Sequence, residues 1–419
     1  MEKRVNVDRL KPGVFVARLD RPWLETPFLL QGFLVRSWDD VEQLKGFCKE
    51  VYIDPERGDD VSDEIVPGPA VAAGPLPRAM RVHRAATAYQ LEFHEEIERA
   101  LEVHRDARKL VDEVLQDVRM GRSVDVAATK RVVEQLAASV MRNPDALLLL
   151  NQLRRKDEYT GRHSINVCIL ALAFGRYVGL EEPELHVLGT GALLHDVGKM
   201  KMPPELLAKA APLTPEEFAI MQGHVAAGVQ ILAASSGVDP GAVEVVENHH
   251  ERYNGSGYPR GLRGERIGRY GLIGGIVDVY DALTSTRPYG EAVTSYEALK
   301  HLYQHRKKDF DETLALQFIQ CIGIYPVGSL VELNTGHVGF VTSVHPKHRL
   351  QPTVLVVLDN EGQRYPSPIA LDLLNQGMAM GARPLEVKGV VSPAKFGIDP
   401  ADYFRFTDVL TRKPTSATL

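Results

Sequence analysis

Seven side chains able to bind a metal constrain this chain more than any other feature. They are His163, His195, Asp196, His224, the doublet His249-His250 and Asp278. His195-Asp196 sits in the run Leu193-Leu194-His195-Asp196-Val197-Gly198-Lys199, with a lysine one helical turn on. A fold that uses all seven together must bring distant stretches of polypeptide to one point, within about one domain's length of chain. One His-Asp pair alone is more often a structural hydrogen bond, and a His doublet alone can be a helix-end cation. Chance assembly of all seven is improbable, so the site reading prevails. The remaining histidines, His83, His94, His104, His186, His301, His305, His337, His345 and His348, are read as surface or packing residues.

The donor count fits two ions. Two six-coordinate cations offer about twelve positions. A carboxylate has two oxygens, so Asp196 is the natural bridge, and the other six residues fill six places. The rest go to hydroxide, water and substrate oxygens. Two ions about 3.5–4 Å apart can generate a hydroxide nucleophile and clamp a phosphoryl oxygen. Lys199, at i+4 from His195 and i+3 from Asp196, is expected on their helical face, to orient a carboxylate or neutralise phosphate. Asp278 and Asp281 are also i,i+3. Asp278 is assigned to the metals, and Asp281 to a supporting or proton-carrying role. Nitrogen and oxygen donors without thiolate suit iron or manganese, with nickel, cobalt and zinc as alternatives.

Net charge is -6, so nothing global draws a nucleic acid; an anionic ligand must be attracted locally. Three scattered cysteines, Cys48, Cys168 and Cys321, point to a reducing compartment rather than a disulfide framework. The N-terminal residues have no apolar signal segment, and no apolar run reaches the ~18 residues a membrane span needs. A cytoplasmic location and no membrane association are expected.

The 419 residues read as a mainly α protein with three parts. Residues 1–65 form a small α/β domain, with strands at Gly13-Val14-Phe15-Val16 and Val51-Tyr52-Ile53 and a short helix carrying Val41, Leu44 and Phe47. Residues 66–83 are a Pro/Gly/Ala-rich linker. Connecting helices fill 84–145, the first bearing an apolar stripe of Phe93, Ile97, Leu101, His104, Val111, Leu115 and Val118. The helical body over 146–326 holds every candidate ligand. It includes a helix buried on all sides over 164–178 and further helices at 184–200, 215–234, 240–251, 271–285, 295–306 and 311–322. Thr214-Pro215-Glu216-Glu217 is a capped helix start. Residues 327–408 read as a β-rich extension, with strands near 330–333, 337–341 and 354–358, and 409–419 as a loose tail.

These residues resemble the HD-GYP domain proteins, a branch of the HD metal-dependent phosphohydrolases. The naming triplet stands here as Gly257-Tyr258-Pro259, and the ligand motifs follow in the family's order. The resemblance covers about 145–328, and residues 1 to about 130 resemble the DUF3391 module often found ahead of such domains. It implies an HD-type helical body and hydrolysis of cyclic di-GMP, a bacterial second messenger, to pGpG and onward to GMP. It also implies the same seven residues as metal ligands. Gly257, Tyr258, Pro259, Lys199 and Arg287 are the expected substrate contacts, with Asp196, Lys199 and Asp281 as catalytic residues. Some members hold a third metal on a Glu four residues before the first His. Tyr159 stands there, which favours two metals. The family often has Arg-Pro-Tyr-Lys, whereas this chain has Arg287-Pro288-Tyr289-Gly290, which implies that one phosphate contact is missing or supplied elsewhere. The alternatives are a weakly catalytic receptor for cyclic di-GMP or pGpG, and a hydrolase of another nucleotide. Protein partners are expected at the N-terminal domain or the Gly-Tyr-Pro loop, and a homodimer through the first long helix.

Overall fold

The computed structural model describes residues 3–20, 33–35, 38–61, 90–152, 159–285, 292–345, 348–375, 385–398 and 403. Contacts divide the chain into Met1–Arg81 and Val82–Leu419. The expected linker at 66–83 and tail at 409–419 lie outside the described residues, as does His83.

The first unit holds β1 (Lys3–Asn6), β2 (Phe15–Leu19), β3 (Phe33–Leu34), α1 (Trp38–Phe47) and β4 (Glu50–Ile53). Its antiparallel sheet runs β1-β4-β2-β3. The period-2 pattern of β4 buries Val51 and Ile53. Val41 and Leu44 of α1 and Val5 of β1 are also buried. Strand β1 escaped the sequence reading because Lys3-Arg4-Val5-Asn6 has a single apolar residue.

The helical part of the second unit contains α2 (Phe93–Arg119), α3 (Val126–Arg142), α4 (Pro144–Gln152), α5 (Tyr159–Tyr177) and α6 (Glu182–Leu194). After these come α7 (Pro204–Leu207), α8 (Pro215–Gln222), α9 (His224–Ala233), α10 (Pro240–Asn248), α11 (Arg269–Thr284), α12 (Ser295–His305) and α13 (Glu312–Ile322). From Ile165 to Phe174, α5 is buried on every side. Its apolar surroundings are the reason a helix with so little polar surface can exist here.

Four expectations about helices are corrected. The segment 184–200 is not one helix: α6 stops at Leu194, and Val197–Lys201 forms a 3-10 turn. The segment 215–234 breaks at Gly223 into α8 and α9, and α10 ends at Asn248 rather than 251. On α2, Ile97, Val111 and Val118 are buried as expected, but Phe93, Leu101, His104 and Leu115 are only partly so. Ala100, Ala107 and Val114 complete the buried face, because small side chains let neighbouring helices approach. Glu96 is buried there as well. It accepts hydrogen bonds from Ser139 Oγ (2.7 Å) and from Arg142 Nε (2.6 Å) and Nη2 (2.7 Å), which satisfies its charge.

The C-terminal sheet comprises β5 (Leu330–Leu333), β6 (Val338–His345), β7 (His348–Leu358), β8 (Arg364–Asp372) and β9 (Val387–Val390). It is antiparallel in the order β8-β7-β6-β5-β9. The sequence reading missed β8 and β9. Both are edge strands, where proline and a polar face are tolerated and the alternation signal is weak. The Val344 amide donates to Asp145 Oδ2 (2.9 Å), tying β6 to the start of α4. Among the described residues no helix is long and apolar enough to cross a membrane.

Candidate metal centre

Five helical elements each deliver part of the site. His163 lies near the start of α5, and His195-Asp196 falls at the junction of α6 with the 3-10 turn. His224 opens α9, His249-His250 follows the last residue of α10, and Asp278 lies on α11. Glycine makes one junction possible. A Cβ on Gly198 would lie 1.9 Å from His224 O and 2.5 Å from Gly228 N. Only a residue without a side chain lets the turn after Asp196 rest on the backbone of α9.

Backbone carbonyls aim the rings. His195 Nδ1 donates to Ala192 O (2.8 Å), His224 Nδ1 to Met221 O (2.7 Å), and His249 Nδ1 to Val246 O (3.0 Å). That tautomer leaves each Nε2 with a free lone pair. His163 is oriented instead by Asp281, whose Oδ2 lies 2.8 Å from Nδ1. Asp281 is fixed in turn by Asn166 Nδ2 (3.0 Å) and Ser285 Oγ (3.1 Å).

The carboxylates lie between the rings. Asp196 Oδ2 is 3.3 Å from His195 Nε2 and 3.7 Å from His163 Nε2, while its Oδ1 is 3.4 Å from His224 Nε2 and 3.9 Å from His249 Nε2. Asp278 also spans the site, with Oδ1 3.1 Å from His163 Nε2 and Oδ2 3.9 Å from His250 Nδ1. Two ligand groups result: His163, His195 and Asp196, and Asp196, His224, His249 and His250. Within each, one donor atom per residue lies within 4.8 Å of the others. Asp196 belongs to both.

Electrostatics fit a cation. Burial, assisted by His195, lowers His249 to about 3. Burial likewise lowers His224, against the pull of Asp196, and holds His250 well below its ordinary value. Neutral imidazoles are what a metal requires. Burial would raise both carboxylates, but Lys199 and His195 hold Asp196 well below the usual range, and His163 does the same for Asp278. His163 moves the other way: despite burial, Asp278 and Asp281 raise it to about 9. Asp196 Oδ1, His224 Nε2 and His249 Nε2 are buried with no hydrogen-bond partner in the protein. Three orphaned acceptors around one space are costly without a cation, so the donor set fits bound metal. Lys199 Nζ pairs with Asp196 Oδ2. It reaches back from the 3-10 turn rather than along the expected helical face.

Beside the centre, the segment after His250 folds over itself. Gly257 lies so close to the backbone that a Cβ there would be 2.4 Å from His250 O and Arg252 N. The Tyr258 amide donates to His250 O (3.2 Å), and its ring stacks on His250 with centroids 4.6 Å apart. Burial raises the Tyr258 hydroxyl pKa, keeping the phenol neutral. Pro259 follows through a cis peptide. Buried Glu251, absent from the sequence reading, pins the loop by accepting from Arg260 N (2.7 Å) and Leu262 N (2.9 Å). No role was read for Asn166, Gly198 or Glu251: Asn and Gly are not strong metal donors, and the Glu251 carboxylate serves two backbone amides rather than the cluster. The Glu directly after the His doublet was the available signal. Arg287 and Gly290 lie outside the described residues, as does the side chain of Tyr159.

Comparison with known proteins agrees with this architecture. The profile described as HD domain matches residues 141–314, the domain of unknown function DUF3391 matches 2–129, and the KOW domain associated with HD domain matches 330–388. The chain is 37% identical over 381 residues to cyclic di-GMP phosphodiesterase PA4108 of Pseudomonas aeruginosa, covering 90% of each chain. It is 43% identical over 136 residues to the cyclic di-GMP phosphodiesterase response regulator RpfG of Xanthomonas campestris, covering 32% of this chain and 36% of that one. Over 167 residues it is 35% identical to 3'3'-cGAMP-specific phosphodiesterase 2 of Vibrio cholerae, covering 40% and 32%. With a likeness running through nine-tenths of both chains in the first case, and the ligand motifs in place, the chain belongs to the HD-GYP family of HD-domain phosphohydrolases.

Proposed function

We propose that this protein is a metal-dependent phosphodiesterase that opens cyclic di-GMP to pGpG, with GMP arising from a second cut. The observation carrying this reading is the position of Asp196. Its two oxygens face two different sets of imidazoles, the arrangement a two-cation hydrolytic site needs. The named activity of the relative matched over 90% of its length supports the substrate.

His163, His195, Asp196, His224, His249, His250 and Asp278 would hold two divalent ions, with iron or manganese best suited to the donors. Such ions supply Lewis acidity, activating water at neutral pH and neutralising charge that develops on the phosphoryl oxygens. Lys199 adds a cation beside Asp196, lowering repulsion between that carboxylate and an incoming phosphodiester. Asp281 acts through His163: both its oxygens are engaged and it is buried, so it positions a ligand and does not reach substrate. Tyr258 keeps its proton and lines the wall beside His250, where a nucleotide can pack or accept a hydrogen bond. Arg287 is assigned, with Lys199, to the phosphate.

Protein purified without oxygen, loaded with Mn or Fe and incubated with cyclic di-GMP, should yield pGpG on chromatography. Asp196→Ala and His195→Ala should lose about a thousandfold or more in kcat/KM, the scale of losing several kcal/mol of transition-state stabilisation. Tight binding with no product from any loaded form would replace this reading with a receptor role. Faster turnover of another nucleotide, 3'3'-cGAMP included, would replace the substrate.

A further inference from the structure

Beyond the metal centre, a line of aromatic rings leads outward to solvent. His249 and His250 have centroids 4.1 Å apart, Tyr258 stacks on His250, and Phe218 meets Tyr258 edge to face at 5.9 Å and 84°. The last ring is exposed. Phe218 keeps 46% of its surface in water and Ile220 keeps 52%, two of the five exposed large hydrophobic side chains among the described residues. They share α8, a helix with no buried residue. That helix is held by its Thr214 capping box, by the pair Lys209–Glu217, and by the contact of Phe218 with Tyr258. Apart from its edge-to-face contact with Tyr258, Phe218 leaves much of its ring surface open to a ligand.

We infer that Phe218 is the stacking platform for a purine base of the substrate, forming with Tyr258 the corner that binds the nucleoside part while the ligand cluster binds the phosphodiester. This rests on the cyclic dinucleotide reading above. In such a substrate each base is joined to the reacting phosphate through a single sugar, and Phe218 stands two ring contacts from His250. Tyr258 already has one face on His250, and the perpendicular ring of Phe218 offers the open apolar surface. Its face can stack on any base, because every base has a π-face. Phe218 is thus a binding residue that does not touch the reacting atoms, and its loss is felt in affinity rather than in the chemical step.

The test compares full-length, metal-loaded wild type with Phe218→Ala, Phe218→Leu and Phe218→Trp, reading steady-state turnover and equilibrium binding of cyclic di-GMP. Circular dichroism and metal content serve as controls for folding. Phe218→Ala should raise KM and Kd roughly tenfold with kcat within about twofold, the scale of one lost base–aromatic stack. Phe218→Trp should restore affinity and Phe218→Leu should not. An unchanged KM and Kd in Phe218→Ala, or rescue by Leu as complete as by Trp, overturns the inference while leaving the phosphodiesterase reading intact. If wild type neither binds nor hydrolyses cyclic di-GMP, the substrate reading falls first and this inference falls with it.

Discussion

Asp281 shows how one side chain can govern a metal centre from outside it. It is buried, it reaches the cluster through His163 Nδ1, and Asn166 and Ser285 fix its orientation. Replacing it by Asn keeps the shape but removes the charge that makes His163 a strong donor. Asp281→Asn should therefore weaken metal binding about 10–100-fold, measured by competition with a chromogenic chelator. An affinity equal to wild type would show that His163 is held by other groups. At this scale the candidate donors were legible as residue types, because metal chemistry is restricted to a few residue types whatever the fold. The roles of Gly198, Asn166 and Glu251 were not. Their value comes from what lies opposite them: the His224 backbone, the Asp281 carboxylate, and two loop amides.

At the scale of elements, helix α2 offers a test separate from the metal. Burial, with Arg108 and Arg162 nearby, lowers His104 to about 4 from 6.5. The folded state holds it neutral while the unfolded chain protonates it below about 6.5. Its neutral form therefore costs nothing above that pH, and stability is lost as pH falls from 6.5 through 4. His104→Leu should flatten this part of the profile, seen as a smaller drop in Tm between pH 7 and 4 than in wild type. Parallel curves would mean that His104 is hydrated in the fold. The breaks in 184–200 and 215–234 fall at His195-Asp196 and at Gly223-His224, beside ligands. Apolar residues continue on both sides of each break, and so period alone cannot reveal a change of direction.

Across the whole molecule, the candidate ligands come from α5, the α6 junction, α9, the end of α10 and α11, so bound cations would cross-link five segments of one unit. Metal that binds only the folded chain adds stability by mass action, about 4 kcal/mol at a thousand times Kd. Scanning calorimetry of protein stripped by chelator and then titrated with Mn should show Tm rising with metal concentration, and His249→Ala should blunt the rise. A Tm indifferent to metal would count against the two-ion site. The sequence by itself determined the helical body, the β-rich end, the kinds of donor atom and their order along the chain, because composition, periodicity and side-chain chemistry are local properties. Only the tertiary structure decided that Asp196 faces both imidazole sets, that Asp281 serves His163, and that Phe218 stands in line with Tyr258 and His250. Those relations depend on how distant surfaces settle against one another, through many weak contacts summed over the fold, and no single stretch of the chain encodes that sum.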